Sequence, residues 1–343
     1  MGKHKRIIII QTAFIGDVIL TLPLIEKVYN KYNGSKISFL ITPKAYDLVK
    51  ANPYISEIIV YDKNGKDKGL KNFLKLAGKI KTQKYDLAVL PHRSVRSAML
   101  VYYAGIPDRI GFDRSAGKMF LTRAVKYSWD KHEAERNLDL IEEKAEDKKI
   151  PIFLDTEDIK KADRFVKEKG ITGKDCLIGV APGSVWATKR WLKERYAELI
   201  NRLIDDFGAK IIIFGGSEDK DLAEEINDMT GNNLVIAAGK LSIGESASAI
   251  SKCRYFVAND TAPLHLASAF HVPAVAIFGP TITGFGFGPY SPRFAVVEKD
   301  LKCRPCGRHG HRKCPKIHFK CMREITTEDV FKAFRRLFDE NRP

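Results

Sequence analysis

No apolar run in this 343-residue chain approaches the ~20 residues that a membrane-spanning helix needs. The stretch Ile7 to Ile10, after Lys3, His4, Lys5 and Arg6, is too short for a signal-peptide core and has no cleavage site behind it. The sequence therefore places the chain in the cytoplasm. Acidic residues are scarce, with 42 Asp and Glu against 58 Lys and Arg and a net charge of +16. Such an excess favours a polyanionic partner. The basic residues are not gathered in one arm, and no DNA- or RNA-binding signature is present, which sets nucleic acid aside. An anionic membrane face or a phosphorylated substrate remains, as does the plain solubility of a charged surface. No repeat of solenoid length occurs. The sole Asp-x-Asp, Asp219-Lys220-Asp221, follows a Gly-Gly turn and opens a helix, so it reads as surface that complements the helix dipole rather than as a metal site.

What is present is an alternation of short apolar strands and amphipathic helices, twice over. The first half predicts strands at Arg6–Gln11, Ile37–Ile41, Ile58–Tyr61 and Tyr85–Leu90, with helices at Asp17–Tyr32, Ala45–Ala51, Leu70–Lys81, Val95–Ala104 and 132–148. The second half predicts strands at Leu177–Ala181, Lys210–Phe214, Leu234–Ala237, Tyr255–Ala258 and Ala274–Phe278, and helices at Leu192–Phe207, Asp219–Met229, Gly244–Ser251, Thr261–Phe270 and 326–340. Alternation of this kind gives an α/β protein with parallel sheets. We divide the chain into residues 1–160, 161–325 and a terminal helix, 326–343, with the boundary falling between Pro151 and Asp175.

The chemistry-bearing residues collect where strands end. Asn259-Asp260-Thr261-Ala262-Pro263-Leu264-His265-Leu266-Ala267-Ser268 follows one strand and opens a helix that Asp260 or Thr261 can cap, leaving N–H groups for an anion. A Phe278-Gly279-Pro280-Thr281 turn closes the next strand. Gln11-Thr12-Ala13-Phe14-Ile15-Gly16-Asp17 follows the first strand, with Gly16 permitting a tight turn and Asp17 in a helix first turn, where the dipole keeps a carboxylate ionised. Pro182-Gly183-Ser184 reads as a phosphate-facing turn, with Lys189 or Arg190 to meet the charge. Glu218 ends another strand, and Leu241 lies in a Gly239-Lys240-Leu241-Ser242 loop. Arg93, Arg96, Arg109, Arg114 and Arg123 suit phosphate or carboxylate groups. Cys303, Cys306, Cys314 and Cys321 have zinc-ligand character in a reducing compartment, although a disulfide-containing or merely packed loop accounts for them as well.

Four of these segments, in order, resemble the family 9 glycosyltransferases, the ADP-heptose:lipopolysaccharide heptosyltransferases. They are Gly16-Asp17 with Pro23, Pro182-Gly183-Ser184 with Lys189 and Trp191, Glu218, and Asp260-Thr261 with His265-Leu266-Ala267 before Phe278-Gly279. Ala262 and Leu192 stand where the family favours Gly and Pro, and His132 with Arg136 resembles a further family pattern to which we assign no role. The resemblance implies the glycosyltransferase B architecture, two Rossmann-like domains facing across a cleft. It implies an inverting enzyme that moves heptose from ADP-heptose to the lipopolysaccharide inner core, a lipid A-Kdo or already heptosylated acceptor, in peripheral contact with the inner face of the inner membrane. Asp17 would be the catalytic base. Thr12, Gly16, Gly183, Ser184, Lys189, Glu218, Leu241, Asp260, Thr261 and His265 would hold the donor and its phosphates, and Arg93, Arg96 and Arg114 the acceptor. No cofactor is required for catalysis, leaving structural zinc as the one metal expected. The alternatives are a sugar-nucleotide 2-epimerase of the same fold and a non-enzymatic module that binds an anionic surface.

Overall fold

The computed structural model describes residues 5–341. The expectations that touch Lys3, His4 and the last two residues of the terminal segment lie outside them. The chain divides after Phe153 into two compact units.

The amino-terminal unit runs β1 (Arg6–Gln11), α1 (Ile15–Ile19), α2 (Leu22–Lys31), β2 (Lys36–Ile41), α3 (Tyr46–Val49), β3 (Glu57–Val60), α4 (Leu70–Thr82), β4 (Leu87–Leu90), α5 (Val95–Tyr103), β5 (Asp108–Phe112), β6 (Arg123–Val125) and α6 (Glu133–Asp139). Its six strands are all parallel, in the order β3-β2-β1-β4-β5-β6. The run Ile7 to Ile10 is fully buried, as a central parallel strand covered on both faces must be.

The carboxy-terminal unit runs α7 (Thr156–Glu168), β7 (Cys176–Ala181), α8 (Lys193–Phe207), β8 (Ala209–Ile213), α9 (Lys220–Thr230), β9 (Val235–Ile236), α10 (Ile243–Ile250), β10 (Tyr255–Asn259), α11 (Ala262–Ala269), β11 (Ala274–Ile277), β12 (Phe294–Val297), α12 (Lys320–Arg323) and α13 (Thr327–Glu340). Its sheet is also wholly parallel, β12-β11-β10-β7-β8-β9. Read within each unit, both orders are 3-2-1-4-5-6, the doubly wound arrangement. In such a sheet the winding reverses between the first and fourth strands. Ligands bind at the carboxyl ends there, which are those of β1 and β4 in one unit and of β7 and β10 in the other.

Several expectations need correction. The helix expected over Asp17–Tyr32 is two, broken at Leu20–Thr21, where the Thr21 hydroxyl donates to the Asp17 carbonyl at 2.7 Å. The charged helix expected over 132–148 stops at Asp139. Strands β5, β6 and β12 were not expected; β5 (Asp108–Phe112) and β6 (Arg123–Val125) open on charged residues and contain no continuous apolar run. The division at 153/154 lies within the interval expected between Pro151 and Asp175, and α7 joins the second unit because it packs on α10. The terminal helix is no separate segment, since Val330, Phe331, Phe334 and Leu337 lie in the core of the second unit beside Ile211, Tyr255 and Val275.

Candidate active site

In the amino-terminal unit β1 delivers Thr12 to Asp17 directly to the switch point. Phe14 is the N-cap of α1 and Asp17 is its N3 residue, whose Oδ2 accepts the Phe14 N–H at 3.1 Å. Gly16 is a helical residue of α1 with no positive φ, so the tight turn expected there is replaced by the helix start itself. The Asp17 carboxyl is not the low-affinity group that its helix position suggested. Burial, then the negative charge of Glu133, push its pKa up to about 7, against the pull of the Phe14 N–H and the Arg93 guanidinium.

Glu133 belongs to a buried network that the sequence did not single out. Its Oε2 accepts from the Tyr127 hydroxyl at 2.7 Å and from Arg136 at 2.9 Å, and Arg136 also donates to the Tyr127 hydroxyl at 2.7 Å. Arg136 is wholly buried and its charge is met by Glu133. The Tyr127 ring lies between two guanidinium groups, Arg93 at 4.1 Å and Arg136 at 4.6 Å from its centroid. Asn137 donates to the Leu20 carbonyl at 3.0 Å, which ties α6 to the end of α1. The His132…Arg136 pattern was the visible signal. Its role is to hold the surroundings of Asp17.

The end of β4 contributes His92 and Arg93 beside Thr12. The Thr12 hydroxyl and His92 Nδ1 are 3.1 Å apart, and Lys63 donates to the Thr12 carbonyl at 2.6 Å. Burial, with Lys63 and Arg93 nearby, drops the His92 pKa to about 4, so this imidazole is neutral at physiological pH. Burial and Arg96 also lower the proton affinity of Lys63. Of the arginines expected on the acceptor side, Arg93 is half-buried at this switch point, whereas Arg96 and Arg114 are exposed. Arg109 and Arg123 are anchored otherwise, Arg109 to the Phe120 carbonyl and Arg123 to Glu142.

In the carboxy-terminal unit the corresponding ends are those of β7 and β10. Lys189 Nζ meets Asp260 Oδ2 at 2.5 Å, and the Thr281 hydroxyl donates to the same oxygen at 2.7 Å. Asp260 is therefore engaged with Lys189 and does not cap α11. Thr261 is the N-cap residue, without a side-chain cap bond. Ala262 is the first helical residue and has no positive φ, so the missing glycine carries no backbone strain. Asn259 holds the two ends together. Its Nδ2 donates to the Pro182 carbonyl at 2.6 Å, while its Oδ1 accepts from the Trp191 N–H and the Tyr196 hydroxyl. His265 is buried on α11.

Gly183 has a second reason to be glycine. A Cβ there would lie 2.2 Å from Asp219 Oδ1. Asp219 is thus not the solvated surface expected. It is turned inward, accepts the Gly216 N–H at 3.0 Å and lies 3.9 Å from Arg190, which in turn donates to the Ser184 carbonyl. Ser184 is buried and its hydroxyl accepts the Trp186 N–H at 3.3 Å. Glu218 is exposed at the turn after β8, and Leu241 is half-buried before α10. Leu192, where Pro is usual, is extended and simply precedes α8.

The cysteine loop packs against this donor-side turn. Thr188 N–H donates to the His311 carbonyl at 3.1 Å, and His311 N–H donates to the Thr188 hydroxyl at 2.7 Å. All four thiols are free, and Cys321 lies close enough to the other three for their charges to reinforce burial in raising its pKa to about 11. Among the described residues no three His, Cys, Asp or Glu side chains form a group that could hold a metal ion.

Two doubly wound sheets with a carboxyl poised near neutrality at one switch point and a Lys–Asp–Thr cluster at the other define a sugar-nucleotide transferase of the glycosyltransferase B class. The chain belongs to glycosyltransferase family 9 (heptosyltransferase), whose profile matches residues 73–317. It is 26% identical to lipopolysaccharide heptosyltransferase 1 of Pseudomonas aeruginosa, over 98% of this chain and 92% of that one. It is 28% identical to lipooligosaccharide heptosyltransferase 2 of Haemophilus influenzae, over 80% and 84%. Among solved structures, a family 9 glycosyl transferase from Veillonella parvula superposes with a TM-score of 0.86 at 27% identity, covering 98% of both chains. The fold is shared with the E. coli ADP-heptose lps heptosyltransferase II, at a TM-score of 0.78 and 21% identity over 98% of this chain and 99% of that one.

Proposed function

We infer that this glycosyltransferase moves a heptosyl group from ADP-heptose to the inner core of lipopolysaccharide, with Asp17 as the general base. The observation that carries the reading is the Asp17 carboxyl itself, placed at the end of β1 with a pKa near 7. A base poised at the working pH is ionised often enough to act and basic enough to take a proton from a sugar hydroxyl as that oxygen attacks the anomeric carbon. Inversion at that carbon follows from a single direct displacement. On the donor side Lys189 supplies positive charge for the departing diphosphate, and Asp260 with Thr281 orients its ammonium. Ser184 and the turn at Gly183 face the same phosphates. Glu218 takes the ribose hydroxyls, Leu241 the base, and Thr261 and His265 complete the donor side. Arg93, with Arg96 and Arg114, meets the anionic groups of the acceptor, beside the neutral His92.

The acceptor is a lipid, so the enzyme works in peripheral contact with an anionic membrane face. Transfer itself uses no metal. The structural zinc considered for Cys303, Cys306, Cys314 and Cys321 is not carried into this reading, because among the described residues no three ligand side chains converge and burial raises the Cys306 and Cys321 thiols rather than favouring thiolates.

The test of function is incubation with ADP-heptose and either Kdo-lipid A or its monoheptosylated form, followed by mass spectrometry. One added heptose on just one of the two establishes the reaction and the acceptor. A folded protein that binds ADP and modifies neither acceptor refutes the assignment to the inner core.

A further inference from the structure

The excess of positive charge is concentrated more than its spread along the chain suggested. Between Lys63 and Lys126 there are fifteen Lys and Arg against four Asp and no Glu, so this stretch holds most of the net charge. On α4 the lysines Lys71, Lys75 and Lys79 stand at i, i+4 and i+8, which makes them one row. Among the described residues, none of the three has an ion-pair partner.

Beside that row lies exposed apolar surface. Leu70 is 71% exposed and Leu74 lies one turn further along α4. The neighbouring helix α5 buries Ser97, Ala98, Leu100 and Val101, yet its opposite face is also apolar: Val95, Met99 and Tyr102 recur at i, i+4 and i+7, and Val95 and Tyr102 are exposed. A helix apolar on both sides is ordinarily covered on both. The short turn Lys118–Phe120 packs on α5 and adds Met119, 83% exposed. Aromatic contacts join the pieces, with Phe73 against Tyr103 at 6.4 Å and Tyr102 against Phe120 at 5.3 Å.

We propose that this face of α4, α5 and the 118–120 turn is a docking surface for an anionic lipid bilayer. Exposed Leu, Val and Met flanked by Tyr and a lysine row match the interfacial zone, where aliphatic groups enter the acyl boundary, Tyr sits at headgroup level and Lys meets lipid phosphate. RNA would use the lysines but leave the aliphatic face in water. The surface also begins where the acceptor side ends, because α5 starts two residues after Arg93. A lipid-anchored acceptor could then keep its acyl chains in the bilayer while its sugars reach the strand ends. The proposal rests on the lipid acceptor inferred above.

The test is flotation of the full chain with vesicles of phosphatidylcholine alone or mixed with phosphatidylglycerol. We expect binding to the mixed vesicles only, weakening with salt. Lys71→Gln, Lys75→Gln and Lys79→Gln together should lower partitioning on the order of a hundredfold. Leu70→Ser with Met119→Ser should lower it by about tenfold, with ADP affinity and heptosyl transfer to a detergent-dispersed acceptor unchanged in both sets. Both sets still binding as the wild type does, or a wild type that captures single-stranded RNA and no vesicles, would overturn the surface. Vesicle binding without transfer would instead sink the enzymatic reading and leave the surface standing.

Discussion

At the Asp17 carboxyl, burial and the Glu133 charge outweigh the α1 dipole and the Phe14 N–H, and the balance sets a pH dependence. The folded group holds its proton up to about pH 7, whereas the unfolded chain gives it up near the ordinary aspartate value of 3.8. Stability from this group is therefore complete below the unfolded value, declines as pH rises, and is lost above the folded one. Asp17→Asn should melt like the wild type near pH 4 and above it by the widest margin past pH 7; calorimetry across that range checks the sign. The same variant should lose about 10²- to 10⁴-fold in turnover while keeping ADP affinity. In the wild type, kcat/KM should fall as pH drops through about 7. At Lys189 the neighbour is Asp260, and both are largely buried. Lys189→Ala should weaken ADP binding by about ten- to a hundredfold, read by calorimetry, since a charge-assisted bond to phosphate is lost. It should also destabilise the fold by a few kcal/mol, because the Asp260 charge stays buried without its cation.

Helix α6 was legible as a pattern and opaque as a device. His132 and Arg136 marked it, but that the Glu133 charge acts on Asp17 and that Asn137 bonds the Leu20 carbonyl are facts of packing between segments more than a hundred residues apart. Glu133→Gln keeps an acceptor for Tyr127 and Arg136 and removes one negative charge. The acid limb of the pH–rate profile should therefore move to lower pH, while Tyr127→Phe, which removes no charge of this kind, should shift it less. An unmoved limb in Glu133→Gln would show that burial alone sets Asp17. Helix α13 makes the opposite case. A helix over 326–340 was plain in sequence, and its removal should abolish cooperative unfolding of the carboxy-terminal unit, because burying Phe331 and Phe334 is worth about 1.5–3 kcal/mol each.

For the molecule as a whole, two sheets of one winding order bring the ends of β1 and β4 and of β7 and β10 to two switch points, and every motif of the family order falls on one of them or on a neighbouring strand end. That is why Asp17 and the Asp260 cluster could be picked out from linear text, since each follows a buried strand and opens a helix. For the metal-free displacement proposed above, treatment with EDTA should leave the rate unchanged, and a rate restored only by a divalent ion would refute it.

By itself the sequence determined the alternation of strands and helices, the two-unit plan and the family. These follow from local periodicity, capping residues and short motifs, which are written within a few residues of one another. Only the tertiary structure decided that Asp17 is held near neutrality, that Lys189 is paired with Asp260 and Thr281, that Asp219 turns inward onto Gly183, and that Val95 and Tyr102 stay exposed on the outer face of α5. Each of these depends on burial and on charges brought together from distant parts of the chain, and neither quantity exists until the chain has folded.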